Sequence, residues 1–143
     1  MLSVSTYNEL TFLSEGVRHL TALENLYLFS CPELNSLPES IQHLTSLRSL
    51  TIFKCDGLTC LPNHIGYLTF LSSLEIEHCP NLTSLPDGIQ SLSNLRKLII
   101  NNCSNLEKGC EKERGEDWPK IAHIPNIGIS RKAIQGSLDG LDA

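Results

Sequence analysis

Apolar residues recur along this chain with a period of 24, and the positions between them vary from copy to copy. From Leu20 the apolar positions are Leu20, Leu23, Leu26, Leu28, Cys31, Leu34, Leu37, Pro38 and Ile41. The same spacing returns from Leu44 through Leu47, Leu50, Ile52, Cys55, Leu58, Leu61, Pro62 and Ile65, and from Leu68 through Leu71, Leu74, Ile76, Cys79, Leu82, Leu85, Pro86 and Ile89. A fourth copy runs Leu92, Leu95, Leu98, Ile100, Cys103 and Leu106 before the pattern breaks. In each copy the apolar-x-apolar step, as in Leu26-Tyr27-Leu28, predicts a short strand with one buried face. Leu-Pro then predicts an extended or turn segment outside the sheet, because proline fixes φ and lacks an N–H. The spacing of three in Ile41, Leu44 and Leu47 predicts a helical or 3₁₀-like arm. A single 24-residue unit buries too little to fold alone, so the copies must stack.

The period lies in the range of leucine-rich repeats, and the spacing L-x-x-L-x-x-L-x-L-x-x-C-x-x-L-x-x-L-P-x-x-I is theirs. The expected fold is an α/β leucine-rich-repeat solenoid. A curved parallel β-sheet lines its concave side, with short helical, 3₁₀ or extended segments on the convex side. Residues 20–107 hold repeats starting at 20, 44, 68 and 92. Residues 1–19 fit a partial upstream repeat, since Leu2, Val4, Tyr7, Leu10, Leu13 and Val17 precede their equivalents by 24. No polar cap precedes Met1, so the natural protein is expected to continue upstream. At the other end Ile121, Ile124, Ile127 and Ile129 repeat the spacing of Leu92, Leu95, Leu98 and Ile100 with an offset of 29, five residues more than the period. Residues 121–130 therefore read as a last strand and cap, after an enlarged charged loop over 108–120. That loop carries seven charges between Lys108 and Asp117, and the only tryptophan. The polar, Gly-containing stretch 131–143 has no periodicity and is expected to be poorly ordered.

Function in such a stack belongs to the strand residues that point away from the core. Parity places Tyr27, Thr51, Glu75 and Ile99 in one outward column. Beside it run Phe29, Phe53, Glu77 and Asn101 on one side, and Asn25, Ser49, Ser73 and Lys97 on the other. Ser30, Lys54, His78 and Asn102 end the strands, and Arg96 flanks Lys97. Exposed aromatics beside graded charge resemble a protein-docking surface. The candidate protein-binding residues are accordingly Asn25, Tyr27, Phe29, Thr51, Phe53, Lys54, Glu75, Glu77, His78, Arg96, Lys97, Ile99 and Asn101.

Composition narrows the partner. A net charge of −5 and scattered Lys and Arg argue against nucleic acid. No apolar run reaches membrane-spanning length, and nothing at the N-terminus reads as a signal peptide. Cys31, Cys55, Cys79 and Cys103 share one repeat position and form an inward ladder, with Cys60 and Cys110 outside it. In that position the thiol can offer its weak S–H to a loop carbonyl. This usage fits a reducing, cytoplasmic compartment better than a disulfide framework. The sequons at Asn81 and Asn102 each lie against an inward-facing position. No phosphate loop, Cys-x-x-Cys or His-Glu-x-x-His is present. His19, His43, His64, His78 and His123 read as solvated surface. Neither an enzyme, a cofactor nor a metal is expected.

The segments LTSLRSLTIFKCDGLTCLPNHIGYL and LTFLSSLEIEHCPNLTSLPDGIQSL resemble the last repeats of plant nucleotide-binding leucine-rich-repeat (NB-LRR) disease-resistance proteins, especially the coiled-coil type. The stretch Gly115-Glu116-Asp117-Trp118-Pro119-Lys120-Ile121-Ala122-His123-Ile124-Pro125, with Cys110-Glu111-Lys112 before it, is similar to that family's C-terminal signature. The resemblance covers roughly residues 2–130. It implies a recognition and autoregulatory module, docking a pathogen effector, a host target or the receptor's own nucleotide-binding domain, with ADP or ATP bound upstream. Two alternatives share the fold: the substrate-recognition part of a ubiquitin ligase and an intracellular scaffold. An extracellular receptor would carry Gly-x-Ile-Pro where this chain has Leu-Pro-x-x-Ile.

Overall fold

The computed structural model describes residues 2–4, 21–30, 35–37, 39–130 and 132–135. The strands form one sheet in sequence order: β1 (Leu2–Val4), β2 (Asn25–Phe29), β3 (Ser49–Phe53), β4 (Ser73–Glu77), β5 (Lys97–Asn101), β6 (Asn126–Ile129) and β7 (Lys132–Gln135). β1 to β6 pair in parallel. From β1 to β5 each residue faces the residue 24 positions on, as Leu26 faces Leu50 and Leu50 faces Leu74. The sequence period is therefore the sheet register itself. One further bond precedes each strand: the amides of Arg48, Ser72 and Arg96 donate to Glu24, Arg48 and Ser72 carbonyls at 2.7, 2.8 and 2.9 Å.

The strands end sharply. Ser30, Lys54, His78, Asn102 and Ser130 all adopt φ between 50° and 56°. That left-handed step turns the chain inward, so that Cys55, Cys79 and Cys103 enter the core with no exposed surface. Their thiols hydrogen-bond strand carbonyls, where the sequence suggested loop carbonyls. Cys79 donates to Glu77 at 3.4 Å, and Cys103 to Asn101 at 3.3 Å. The Cys79 amide also donates to Cys103 Sγ at 3.4 Å. The hydrogen bond between the Cys79 and Cys103 side chains, helped by burial, raises the Cys79 thiol, while the same bond lowers Cys103. Cys31 lies outside the described residues, as do Leu20, Leu34 and Pro38 and the positions read between Tyr7 and Val17.

On the convex side, Pro62 and Pro86 are extended, with φ near −75° and ψ of 152° and 153°. Each leads into a 3₁₀ helix, Asn63–Tyr67 or Asp87–Ser91; a third spans Glu39–His43. The core is the column of Leu, Ile and Cys between sheet and arm, and Leu50, Leu74 and Leu98 are wholly buried in it.

The C-terminal part departs from the sequence reading in two ways. Residues 108–120 are more than a loop. Helix α1 (Ser104–Gly109) and the short α2 (Trp118–Ile121) enclose the charged turn. Asp117, one of its charged residues, is buried. Second, part of the stretch expected to lack order is strand. β7 pairs antiparallel with β6, with a register shift at Ile127/Gly128. An uncovered last strand presents a row of unpaired backbone groups, and β7 satisfies them. Residues 136–143 lie outside the described residues.

Candidate functional site

The strand face assembles as a grid, because parallel in-register pairing puts equivalent residues side by side about 4.8 Å apart. Tyr27 faces Thr51, Thr51 faces Glu75, and Glu75 faces Ile99; Phe29 faces Phe53, Phe53 faces Glu77, and Glu77 faces Asn101. The grid splits into two chemistries. Its first half is aromatic. Phe29 and Phe53 stack with ring centroids 5.3 Å apart and planes 6° from parallel, and Tyr27 stacks on Phe29 at 6.1 Å. His78 meets Phe53 edge-on at 5.2 Å. Lys54 sets its Nζ 5.4 Å from the Phe53 centroid, a cation–π contact. Such rows suit flat partner groups, because stacked rings lose little freedom on contact.

The second half is acidic and partly self-paired. Asn101 Nδ2 donates to Glu77 Oε1 at 2.9 Å, and Lys97 Nζ lies 4.0 Å from Glu75 Oε1. Burial raises the Glu75 carboxyl above its usual range; Lys97 opposes this and the neighbouring Glu77 adds to it. Ile99 and Asn101 share the face but are nearly covered, at 9% and 8% exposed. Ile99 lies outside the main core cluster and faces Gly128, which has no side chain. Asn25, Lys54, His78 and Arg96 are exposed, and Phe29 is 37% exposed. Thr51, Phe53, Glu75, Glu77 and Lys97 are half-buried. Arg96 stands before β5, and its carbonyl accepts the Asn126 amide at 3.0 Å.

Where the strands end, Ser30, Lys54, His78 and Asn102 line a groove of about 540 Å³, with Asp56 and Pro80 from the following loops opposite. Asn102 Nδ2 lies 3.4 Å from His78 Nε2. Sequence parity does not reach Asp56 and Pro80, because loops carry no face alternation. A period of 24 could have found them, since both follow the ladder cysteines by one residue.

A second constellation escaped the sequence reading entirely. Asp117 Oδ2 accepts the Leu85 amide at 3.0 Å, and Asp117 Oδ1 takes Lys120 Nζ at 2.7 Å. Lys120 Nζ in turn donates to the Leu85 carbonyl at 2.7 Å and lies 3.5 Å from Asp87. The clamp fastens the C-terminal turn to the backbone of the third full repeat. Its groups are held by each other, so it is a structural joint. Among the described residues no three His, Cys, Asp or Glu side chains gather as a metal ion would require. No helix of the described residues is long and apolar enough to cross a membrane.

Residues 42–103 match the family described as R13L1/DRL21 LRRs. A 24-residue segment is 71% identical to part of the disease resistance protein RGA4 of Solanum bulbocastanum, covering 17% of this chain and 2% of that protein. Among solved structures, a leucine-rich-repeat protein of Leptospira interrogans superposes on 89% of this chain and 35% of its own length, with a TM-score of 0.55. At 21% identity that likeness shows the fold alone. The chain thus spans a small part of the relatives it matches. Period, register and these matches together make the chain a leucine-rich-repeat solenoid whose repeats are similar to those of plant disease-resistance proteins.

Proposed function

We propose that the strand face is a protein-recognition and autoregulatory surface within a plant intracellular immune receptor. It contacts a pathogen effector, a host target or the receptor's own nucleotide-binding domain. The observation that carries this reading is the in-register grid, with stacked Tyr27, Phe29 and Phe53 running directly into Glu75 and Glu77. Aromatics at the centre of a patch and charges beside them are the usual anchors of a protein interface. A face of this kind regulates by differential affinity: contacts made in the resting state and lost in the active one set the balance between the two. The cytoplasm suits the chain, because Cys55, Cys60, Cys79, Cys103 and Cys110 are all unbridged.

The test is the triple variant Phe53→Ala, Glu75→Lys, Glu77→Lys in the full-length receptor. Three interface contacts at about 0.5–1 kcal/mol each sum to roughly 2 kcal/mol, a shift of about 30-fold in the resting–active ratio or in partner affinity. Autoactivity in the absence of effector, or weakened binding to a separately expressed nucleotide-binding domain, is the expected result. Wild-type behaviour in both assays, with the repeat region folded, would sink the assignment of this face.

A further inference from the structure

We infer that the partner presents an arginine to this face, its guanidinium laid against the Phe53 ring and paired with Glu77. The inference rests on the docking role proposed above and adds the chemistry of what docks. Phe53 and Glu77 are direct partners in the β3–β4 register, so ring and carboxylate stand one strand apart. Asn101 holds Glu77 by Oε1 at 2.9 Å, which fixes the carboxylate beside the ring before any partner arrives. The chain itself already places a cation there, since Lys54 Nζ lies 5.4 Å from the Phe53 centroid. Lys54 is an exposed side chain on a flexible stem, so it is a displaceable stand-in for a better cation.

Charge complementarity selects among occupants. Glu75 and Glu77 are adjacent on the face, and Lys97 answers Glu75 only at 4.0 Å. An acidic segment is repelled there, and a purely apolar one strips water from two carboxylates without compensation. A lysine reaches the ring as a point charge. A guanidinium does more: it is planar, stacks on an aromatic face, and offers parallel N–H donors that a carboxylate can take two at a time. It is also the more weakly hydrated cation, which favours a half-buried site such as that between Phe53 and Glu77.

The experiment titrates the full chain, isotopically labelled, with three short glycine-spaced peptides carrying two arginines, two lysines or two citrullines. Citrulline keeps the shape of arginine and removes its charge. The arginine peptide is expected to shift amide signals of residues 51–54 and 75–78, with the lysine peptide about threefold weaker or worse and the citrulline peptide silent. Glu77→Gln and Phe53→Leu should each weaken arginine binding by about two- to fivefold, whereas Lys54→Ala should tighten it by a similar factor by removing the competing cation. The double variant Glu111→Gln, Glu113→Gln makes a larger change in net charge away from the face and should leave binding unchanged. Equal weakening by that control, shifts centred on residues 111–116, or weaker binding by Lys54→Ala each overturns the proposal. If the arginine peptide binds nowhere while the triple variant still alters the receptor, the guanidinium chemistry falls and the docking role stands. Specific arginine binding together with a silent triple variant separates the two the other way.

Discussion

Replacing Asp117 by alanine should detach the C-terminal turn from the repeats, and the cost follows from what the carboxylate holds. Asp117 is only 3% exposed. It accepts the buried Leu85 amide at 3.0 Å and the Lys120 ammonium at 2.7 Å. Alanine leaves the Leu85 N–H without that acceptor, a penalty of about 1–3 kcal/mol for a buried donor. It also leaves Lys120, whose side chain is 20% exposed, with the Leu85 carbonyl and a distant Asp87. Breaking a buried pair from one side costs about 3–5 kcal/mol in total. Asp117→Asn keeps an oxygen for the Leu85 amide but turns an NH2 donor towards Lys120 in place of the second acceptor, so about 1.5–3 kcal/mol is expected. Lys120→Ala should cost about as much as Asp117→Ala, because it strands a carboxylate inside. The double variant should cost less than the sum of the singles by 1 kcal/mol or more, roughly, since both remove one joint.

Trp118 makes this measurable. It is the only tryptophan of the chain, neighbours Asp117 in sequence and packs on the core cluster. Its fluorescence during urea titration reports the C-terminal turn, while circular dichroism reports the whole stack. In a one-dimensional stack the end unit can open on its own, so the fluorescence transition of Asp117→Ala should move to lower urea than the dichroism transition. Lys120 carries a raised pKa, first through its hydrogen bond to Asp117. A raised lysine contributes stability that is complete below the ordinary lysine range and lost as pH climbs through the raised value. The lysine side of the clamp is therefore intact at neutral pH and is lost in strong alkali. An Asp117→Ala protein within about 0.5 kcal/mol of the parent would refute the reasoning, because it would place the carboxylate in water.

Two further outcomes test other parts of the stack. A Cβ on Gly88 would lie 2.3 Å from the Asn63 carbonyl oxygen, and backbone yields poorly, so Gly88→Ala should destabilise by about 2–4 kcal/mol in chemical denaturation; a neutral result would mean the neighbouring 3₁₀ turns are not so tightly packed. Glu75 has a raised carboxyl pKa, so its ionisation opposes folding as pH rises above the ordinary glutamate range; Glu75→Gln should therefore gain in urea midpoint relative to the parent at pH 7 and lose that gain towards pH 4. A gain independent of pH would point to packing instead.

Much of this architecture was legible because a stack makes one demand many times. Leu50, Leu74 and Leu98 meet the same neighbours in the same register, so the period of 24 in the sequence became the pairing of strands without adjustment. The same regularity hides exceptions. Gly88 is tight against Asn63, yet its equivalent 24 residues earlier is His64, so no repeating glycine announces the close approach. Asp117 sits in a run of charges where the period has already failed, and charge runs ordinarily face water. Only the backbone of Leu85, brought near by the returning chain, turns that carboxylate inward. β7 was illegible for a related reason: its strand character comes from the open edge of β6, a property of the assembled sheet.

The strand face shows where such reading stops in principle. Parity alone places Ile99 and Asn101 beside Glu75 and Glu77, and the register agrees. Exposure follows from neighbours, however: Asn101 is drawn to Glu77, and Ile99 keeps only 9% of its surface exposed. The fifth strand is thereby withdrawn from the surface, and the offered chemistry concentrates on β2 to β4. That concentration sharpens the functional argument. A partner meeting Tyr27, Phe29 and Phe53 on one side and Glu75 and Glu77 on the other spans three strands, about 10 Å across the sheet. Substitutions at Ile99 should therefore act through folding, and those at Phe53 and Glu77 through binding, although all three occupy the same outward face.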